Sequence, residues 1–240
     1  VTHLVSIPER RWRAEGPLLV SPLLARANGL VHGFTTRLLG DVKSEPAARD
    51  AILRLSGGSR LRLLTQVHGV RLEPPRDADE TPEADGWCGR PPPGILLGVM
   101  AADCLPLLLY HEPTSSLAVV HAGWRGATAG IASAAVRALG APPGELLAAL
   151  GPAIGPCCYE VGAEVAEAAA RHPDSLVPTG NGKYRFDLPG FVRADLVGAG
   201  VVLHRIDVSG LCTSCTDNLF FSHRRDGGPG RACAFAGVRA

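Results

Sequence analysis

His68, Cys104 and His121 are the residues whose types and positions point most directly to chemistry. Each stands where an apolar run ends. His68 follows Leu63-Leu64-Thr65-Gln66-Val67, Cys104 follows Ala101-Ala102-Asp103, and His121 closes Leu117-Ala118-Val119-Val120 before Ala122-Gly123-Trp124-Arg125-Gly126. Two imidazoles and one thiolate at strand ends can converge on a Zn²⁺ ion and leave its fourth tetrahedral position open, the arrangement of a catalytic zinc site. A second reading makes Cys104 a nucleophile with His121 as its base and His68 as an orienting group. Spacing alone leaves both readings open, because a cysteine at a strand end is commonly a small buried hydrophobe.

Other clusters carry weaker signals. Cys212-Thr213-Ser214-Cys215 has CxxC spacing, but a zinc ribbon needs a second spaced pair and Cys157-Cys158 is adjacent, so the expectation is neither a metal nor a redox role. Gly151-Pro152-Ala153-Ile154-Gly155-Pro156 reads as a rigid bend, since its prolines remove N–H groups that an anion would need. Ser222-His223-Arg224-Arg225-Asp226 reads as a solvated turn or as a phosphate clamp, arginine forks being matched to phosphate oxygens. Arg37 and Arg125, each after a glycine-containing turn, invite the same two readings.

These residues need elements to position them. Residues 17 to 36 read as short strands, Pro46 to Leu55 as a helix stopped by Gly57-Gly58, and Leu61 to Val67 as a buried strand. Pro74 to Pro93 has loop composition and reads as a surface excursion. Gly94 to Ala101, Leu105 to Tyr110 and Leu117 to His121 read as neighbouring strands of a central sheet. Helices are expected over Gly126 to Leu139, Val161 to Arg171 and Gly190 to Gly200, with strands over Val201 to Asp207 and Ala232 to Val238. Strands and helices mix without strict alternation, which favours an α+β fold, a layered α/β sandwich with a mixed sheet, over a doubly wound one. The expected organisation is a single domain over residues 1–240.

The chain's 240 residues and 46% hydrophobic content suffice for a sizeable core, and its 24 basic and 23 acidic side chains give a formal charge of +1. That balance excludes an intrinsically disordered chain and offers no global field for nucleic acid or an anionic membrane. The longest stretch without Asp, Glu, Lys or Arg, Leu146 to Tyr159, is broken by Gly and Pro and shorter than the ~18 residues a membrane helix needs. Arg10, Arg11 and Arg13, the apolar Leu18 to Ala25 and then Ala25-Arg26-Ala27 imitate a signal peptide, but Pro17 and Pro22 interrupt the apolar part and Glu15 sits in the basic part. With seven cysteines, an odd number, a full disulfide framework is not expected, and the cytoplasm is the expected compartment.

Val31-His32-Gly33-Phe34-Thr35-Thr36-Arg37, Gln66-Val67-His68-Gly69, Ala84-Asp85-Gly86, Ala102-Asp103-Cys104-Leu105-Pro106 and His121-Ala122-Gly123-Trp124-Arg125-Gly126 follow one another along the chain. So do Gly151 to Cys157, Tyr159-Glu160-Val161-Gly162, Phe186-Asp187-Leu188, Cys212-Thr213 and Phe220 to Asp226. In this order the motifs resemble the YfiH/laccase-domain family, long described as multicopper polyphenol oxidases and now understood as zinc-dependent purine nucleoside phosphorylases. The resemblance implies a YfiH-like fold and a Zn²⁺ site made by His68, Cys104 and His121. It implies phosphorolysis of adenosine, inosine, guanosine and methylthioadenosine, with adenosine deaminase activity besides, and hence purine nucleosides and phosphate as partners.

Within that frame Asp103 is the candidate for proton transfer, beside Cys104, against a structural turn role. Arg37, Arg125 and Arg224 are the phosphate candidates, Arg125 also the catalytic one, and Tyr159-Glu160 shapes the pocket or closes the fold. Cu²⁺ is a competing occupant, as in a laccase-like polyphenol oxidase, although eight scattered histidines are few for several coppers. A Cys-His hydrolase using Cys104 and His121 and a binding module without turnover also fit the residues. One departure stands out. The family's Gly-Gly-Val-Ser segment and Asn-Leu loop are missing after Arg37, which runs through Leu38-Leu39-Gly40-Asp41-Val42 into the first helix.

Overall fold

The computed structural model describes residues 12–76, 78 and 80–239. In spatial order its first six-stranded sheet is β1 (Arg13–Glu15), β2 (Leu18–Val20), β3 (Leu30–Thr35), β15 (Ala232–Val238), β7 (Ile95–Ala101) and β4 (Arg60–Arg62). The second is β14 (Ile206–Val208), β10 (Leu147–Leu150), β8 (Leu105–His111), β9 (Ser116–Ala122), β6 (Gly86–Gly89) and β5 (Leu72–Glu73). A small third sheet orders β11 (Glu160–Val161), β13 (Lys183–Phe186) and β12 (Leu176–Gly180). Most pairings are antiparallel; β4 with β7, β5 with β6 and β10 with β14 are parallel, so both large sheets are mixed.

The twofold alternation of strand side chains explains the layers. On β8, Leu108 and Tyr110 enter the apolar layer shared with Phe34, Leu97 and Ala234 of the first sheet, while Leu105, Leu107 and Leu109 face the opposite way. That opposite face is covered by α2 (Trp124–Thr128), α3 (Ile131–Ala138), α4 (Ala163–Ala168) and α5 (Leu188–Gly198), which contribute Ala127, Ile131, Val165 and Phe191. On the outer face of the first sheet, α1 (Pro46–Ser56) packs Ala48 and Ile52 against Leu96 and Phe235. The result is an α/β/β/α sandwich, an α+β fold as expected but with two mixed sheets facing each other. Trp87, fully buried on β6, donates its indole N–H to the Gly98 carbonyl of β7 at 3.3 Å and so ties one sheet to the other. A buried polar chain does the same elsewhere: the Ser21 N–H donates to His32 Nε2 (3.1 Å) on β3, and the Ser21 hydroxyl donates to Asp207 (2.5 Å) on β14.

Several expectations need correction. The strand expected over Leu61 to Val67 stops at Arg62, and Val67 is exposed. Gln66 explains why: its side-chain amide donates to the Met100 carbonyl and accepts from the Met100 N–H, both at 2.7 Å, replacing a backbone ladder with a side-chain one. The surface excursion over Pro74 to Pro93 contains the buried strand β6. The strand beginning near Gly94 is not a neighbour of the other two: β8 and β9 pair with each other, but β7 belongs to the opposite sheet. The helix expected over Gly126 to Leu139 is two, broken at Gly130, whose φ of +90° no ordinary helical residue adopts. Strand β14 starts only at Ile206, after a 3₁₀ turn over Leu203–Arg205. In the signal-peptide-like region, Leu18 to Ala25 forms β2 and part of a 3₁₀ turn, while Arg10 and Arg11 lie outside the described residues. Among the described residues no helix is long and apolar enough to cross a membrane.

Candidate metal centre and its cavity

The strands deliver the three expected donors to one point. His68 leaves the irregular segment after β4, Cys104 sits in the turn between β7 and β8, and His121 is near the end of β9. Their ligand atoms all lie within 4.8 Å of one another. The imidazoles of His68 and His121 meet edge to face, with centroids 4.9 Å apart. His68 and Asp103 hold φ angles of +62° and +85°, a conformation costly for residues with a Cβ and found mostly where a site over-determines it. Gly123 closes the group from above: a Cβ there would stand 3.0 Å from His68 Cδ2 and 3.1 Å from Cys104 Sγ.

Asp85 organises the donors, a role not assigned from the sequence. It is fully buried immediately before β6. One oxygen accepts from His121 Nδ1 (2.9 Å) and the His68 N–H (2.9 Å), and the other from the Gly69 N–H (2.6 Å). Burial raises its pKa, but these bonds outweigh burial and leave it below the usual carboxylate value. A carboxylate behind an imidazole fixes the ring's tautomer and turns its other nitrogen toward the ion. The available signal was Asp85 next to Gly86 at the head of Trp87-Cys88, a charged residue entering an apolar strand.

Electrostatics complete the donor set. Burial pushes the Cys104 thiol up, yet hydrogen bonds to His121 and His68 bring it down to about 6. Burial pulls His121 down, yet Asp85 and Cys104 raise it to about 9. A thiolate between two imidazoles, one backed by a carboxylate, fits a borderline-soft divalent ion of tetrahedral preference. The three donors would fill three of the four positions of a tetrahedral ion and leave one for substrate or solvent.

A cavity of about 670 Å³ opens on these donors. Leu63, Leu64, Met100, Ala101 and Ala102 give it apolar wall, and Lys43, Arg49 and Arg231 give it cationic wall, with His223 beside them. That is a size and a mixture typical of small-molecule sites. None of the three expected phosphate arginines lines this cavity. Arg37 lies over the Phe221 ring and donates to the Asp217 carbonyl at 2.6 Å. Arg125 stacks on Trp124. Arg224 lies over Tyr159 and donates to the Cys158 and Glu160 carbonyls. The last two stand together on the other side of the donors: burial first, then the charge of Cys104, pushes the Tyr159 hydroxyl to about 12, while Arg224 and Arg125 pull it back.

Asp103 is held at both oxygens, by the Thr213 hydroxyl (2.6 Å) and by the Arg224 backbone N–H (2.7 Å). The cluster after Phe221 forms a single-turn helix, α6 (His223–Asp226), whose Arg225 binds Asp226 and the carbonyls of Thr213, Ser214 and Phe220. Arg225 is thus a brace within the fold. The shortened segment after Arg37 is compact for a similar reason. Buried Asp41 accepts from the N–H groups of Lys43 (3.0 Å) and Arg231 (2.9 Å) and from the Ser44 hydroxyl (2.6 Å), which locks the segment to the approach of β15 and sets Lys43 at the cavity wall.

Comparison with known proteins agrees with the geometry. The family described as multi-copper polyphenol oxidoreductase laccase matches residues 35–239. The chain is 37% identical over 193 residues to the Geobacillus stearothermophilus protein named purine nucleoside phosphorylase YlmD, spanning 72% of this chain and 70% of that one. It is 35% identical over 241 residues to the Streptomyces coelicolor protein named purine nucleoside phosphorylase SCO2081, spanning 87% and 95%. Among solved structures, YlmD from G. stearothermophilus superposes with a TM-score of 0.87 at 31% identity, over 97% of this chain and all of that one. A Bacillus licheniformis hypothetical protein, YfiH, does so at 0.85 and 30%, over 95% and 99%. With the family matched along most of the sequence and the fold matched nearly end to end, the chain belongs to the multi-copper polyphenol oxidoreductase laccase family, that of the YfiH and YlmD proteins.

Proposed function

We propose that the chain is a metal-dependent purine nucleoside phosphorylase, with Zn²⁺ held by His68, Cys104 and His121, acting on adenosine, inosine, guanosine and methylthioadenosine, and deaminating adenosine as a second activity. The observation that carries the proposal is the donor triangle, backed by Asp85 and opening on a cavity with both apolar and cationic wall. The names of the relatives supply the reaction class.

The chain's own residues divide the work. The apolar wall, with Met100 and Leu63, accepts the purine face, and the cations confine phosphate against the ribose so that the two reactants meet in one cage. As the glycosidic bond breaks, the sugar gains oxocarbenium character, and fixed charges placed around it stabilise that change without reorganising. Arg125 and Arg224 hold the Tyr159 side of the site, and Lys43, Arg49 and Arg231 the cavity side. Arg37, engaged with Phe221 and Asp217, supports the phosphate site from outside it. Asp103, held once at each oxygen by the Thr213 hydroxyl and the Arg224 N–H, keeps a lone pair on each for proton transfer, and the same two bonds fix the turn that carries Cys104. When bound, Zn²⁺ supplies Lewis-acid chemistry at the floor of the cavity and makes water a competent nucleophile near neutral pH.

The experiment incubates metal-replete protein with each of the four nucleosides, with and without phosphate, and follows pentose 1-phosphate, free base and inosine. Phosphate-dependent pentose 1-phosphate is expected, together with loss of activity on chelation and recovery with Zn²⁺. Absence of both phosphorolysis and deamination in the metal-replete protein overturns the proposal.

One observation favours a second reading. Cys104, His121 and Asp85 form a thiolate, imidazole and carboxylate series that would serve a cysteine hydrolase. Such an enzyme works without metal and is inactivated by thiol alkylation. The second imidazole, His68, pointed at the same sulfur, is what favours the metal. Copper in place of zinc would make the protein a laccase-like oxidase, and elemental analysis of protein made without added copper separates the two. Against it, His32, His111 and His172 are each committed to Ser21, Thr114 and Glu145, or Asp195, so they build no further copper site.

A further inference from the structure

The fold brings together cysteines that the sequence keeps far apart. Cys157, Cys158, Cys212 and Cys215, set in two loops far apart in sequence, bring their sulfurs within 4.8 Å of one another. Cys215 Sγ lies 3.4 Å from Cys157 Sγ and 3.3 Å from Cys158 Sγ. Four sulfurs around a tetrahedral Zn²⁺, at about 2.3 Å each, are separated by roughly 3.8 Å. The observed spread brackets that value.

We propose that these four cysteines form a second, structural Zn²⁺ site of the closed tetrathiolate kind, independent of the His68, Cys104 and His121 centre. Three further observations support it. The Gly155 N–H donates to Cys212 Sγ at 3.2 Å, and the N–H groups of Ser214 and Cys215 turn toward the same sulfur. Amides gathered on one sulfur, within a turn closed by Thr216 N–H to the Cys212 carbonyl (3.0 Å), stabilise a thiolate rather than a thiol. Next, Gly155 packs against the cluster, where a Cβ would stand 3.3 Å from Cys157 Sγ and 3.3 Å from Cys212 Cβ, so the loop is shaped around the sulfurs. Finally, Cys157 and Cys215 are exposed, which gives an ion its way in.

Four thiolates and one Zn²⁺ carry a net charge of −2. The guanidinium of Arg224, bound to the Cys158 carbonyl, offsets part of it, while Arg225, on the Thr213 and Ser214 carbonyls, is itself paired with Asp226. The backbones of the two loops meet at an isolated bridge, Ala153 with Cys212, beside the Gly155 N–H on Cys212 Sγ. They also carry the partners of Asp103: the Ile154 N–H on its carbonyl and the Thr213 hydroxyl on its carboxylate. The second ion clamps these loops together and so holds the Tyr159 side of the first site.

The test is metal content of untagged protein purified with Zn²⁺ under reducing conditions. Two zinc ions per chain are expected in the wild type and one in His121→Ala. One is also expected in Cys157→Ser/Cys215→Ser, which leaves the first centre intact. Co²⁺ loaded into His121→Ala should show the intense sulfur-to-cobalt charge transfer of a tetrathiolate. Should the serine variant fail to fold, alkylation of the wild type mapped by mass spectrometry decides: the four cysteines are shielded in the zinc-loaded protein and react after chelation. A single zinc lost entirely in His121→Ala, equal reactivity of the four thiols before and after chelation, iron in place of zinc, or a disulfide among them overturns the proposal.

Discussion

Asp85 shows how one side chain sets the chemistry of a site that it does not enter. Its two oxygens hold His121 from behind and the backbone at His68 and Gly69 from the side, so it fixes the direction of one donor and the path of another. Asp85→Asn keeps the shape but weakens the acceptor. Metal affinity, measured by competition with a chelator, is expected to fall about 10- to 100-fold. Unchanged affinity would show that His121 needs no carboxylate behind it. Gly123→Ala acts by volume instead, crowding His68 and Cys104 at 3.0 and 3.1 Å. Its expected signature is loss of bound metal and of turnover with a melting temperature near that of the wild type, since the added methyl meets donors rather than core. Melting together with metal loss would place the strain in the fold. The donors were legible in the sequence because histidine and cysteine at strand ends are few. Asp85 was visible only as a charged residue in a motif at the head of an apolar strand, and its role, which comes from total burial behind His121, was not.

At the scale of elements, apolar runs announced β7, β8, β9 and β15, and Pro46 with Gly57 announced α1. What failed was partnership and substitution. β7 reads like β8 and β9, but the turn at Asp103-Cys104 sends the chain from one sheet to the other, and no run of apolar residues records which sheet receives it. Gln66 deceived in another way, because a side chain making two bonds to the backbone of Met100 imitates a strand without being one. Gln66→Ala leaves those two backbone groups unpartnered and is expected to cost about 1–3 kcal/mol in urea unfolding. A cost below ~0.5 kcal/mol would show that solvent replaces the side chain. His32 ties β3 to Ser21 and through it to Asp207. Burial lowers its pKa to about 4 from 6.5. Between those values the unfolded chain binds the proton that the folded chain refuses, so stability rises with pH across this window and is lost as pH falls through it. The contribution is on the order of 3 kcal/mol. In His32→Gln the loss of stability from about pH 7 to about 4.5 should shrink by roughly that amount, and an unchanged difference would assign the acid sensitivity to other groups.

For the whole molecule, the near balance of charge means that phosphate, in the proposed reaction, would be gathered by local cations and not by a long-range field. Under the proposed function, Lys43→Met, at the cavity wall, is expected to raise the KM for phosphate about tenfold or more while leaving the proposed adenosine deamination, which needs no phosphate, close to the wild type. Equal loss of both activities would make Lys43 structural. The charge balance was legible at once, whereas the address of each cation was not: Arg37, Arg125 and Arg224 all sit outside the cavity, because stacking on Phe221, Trp124 and Tyr159 claims them.

The donor triangle has one more consequence. His68 lies on the chain crossing from the first sheet to the second, His121 belongs to the second, and Cys104 lies in the turn that joins them. The three ligands therefore span the seam between two slabs that touch mainly through Trp87, Leu108 and their apolar neighbours. An ion held there would be in effect a caliper on the spacing of the sandwich. A substitution deep in that layer, remote from any substrate, changes the caliper's opening and is felt as a change in how tightly the ion is held. Loss of metal in such a variant reports a misfit between sheets long before the fold itself gives way.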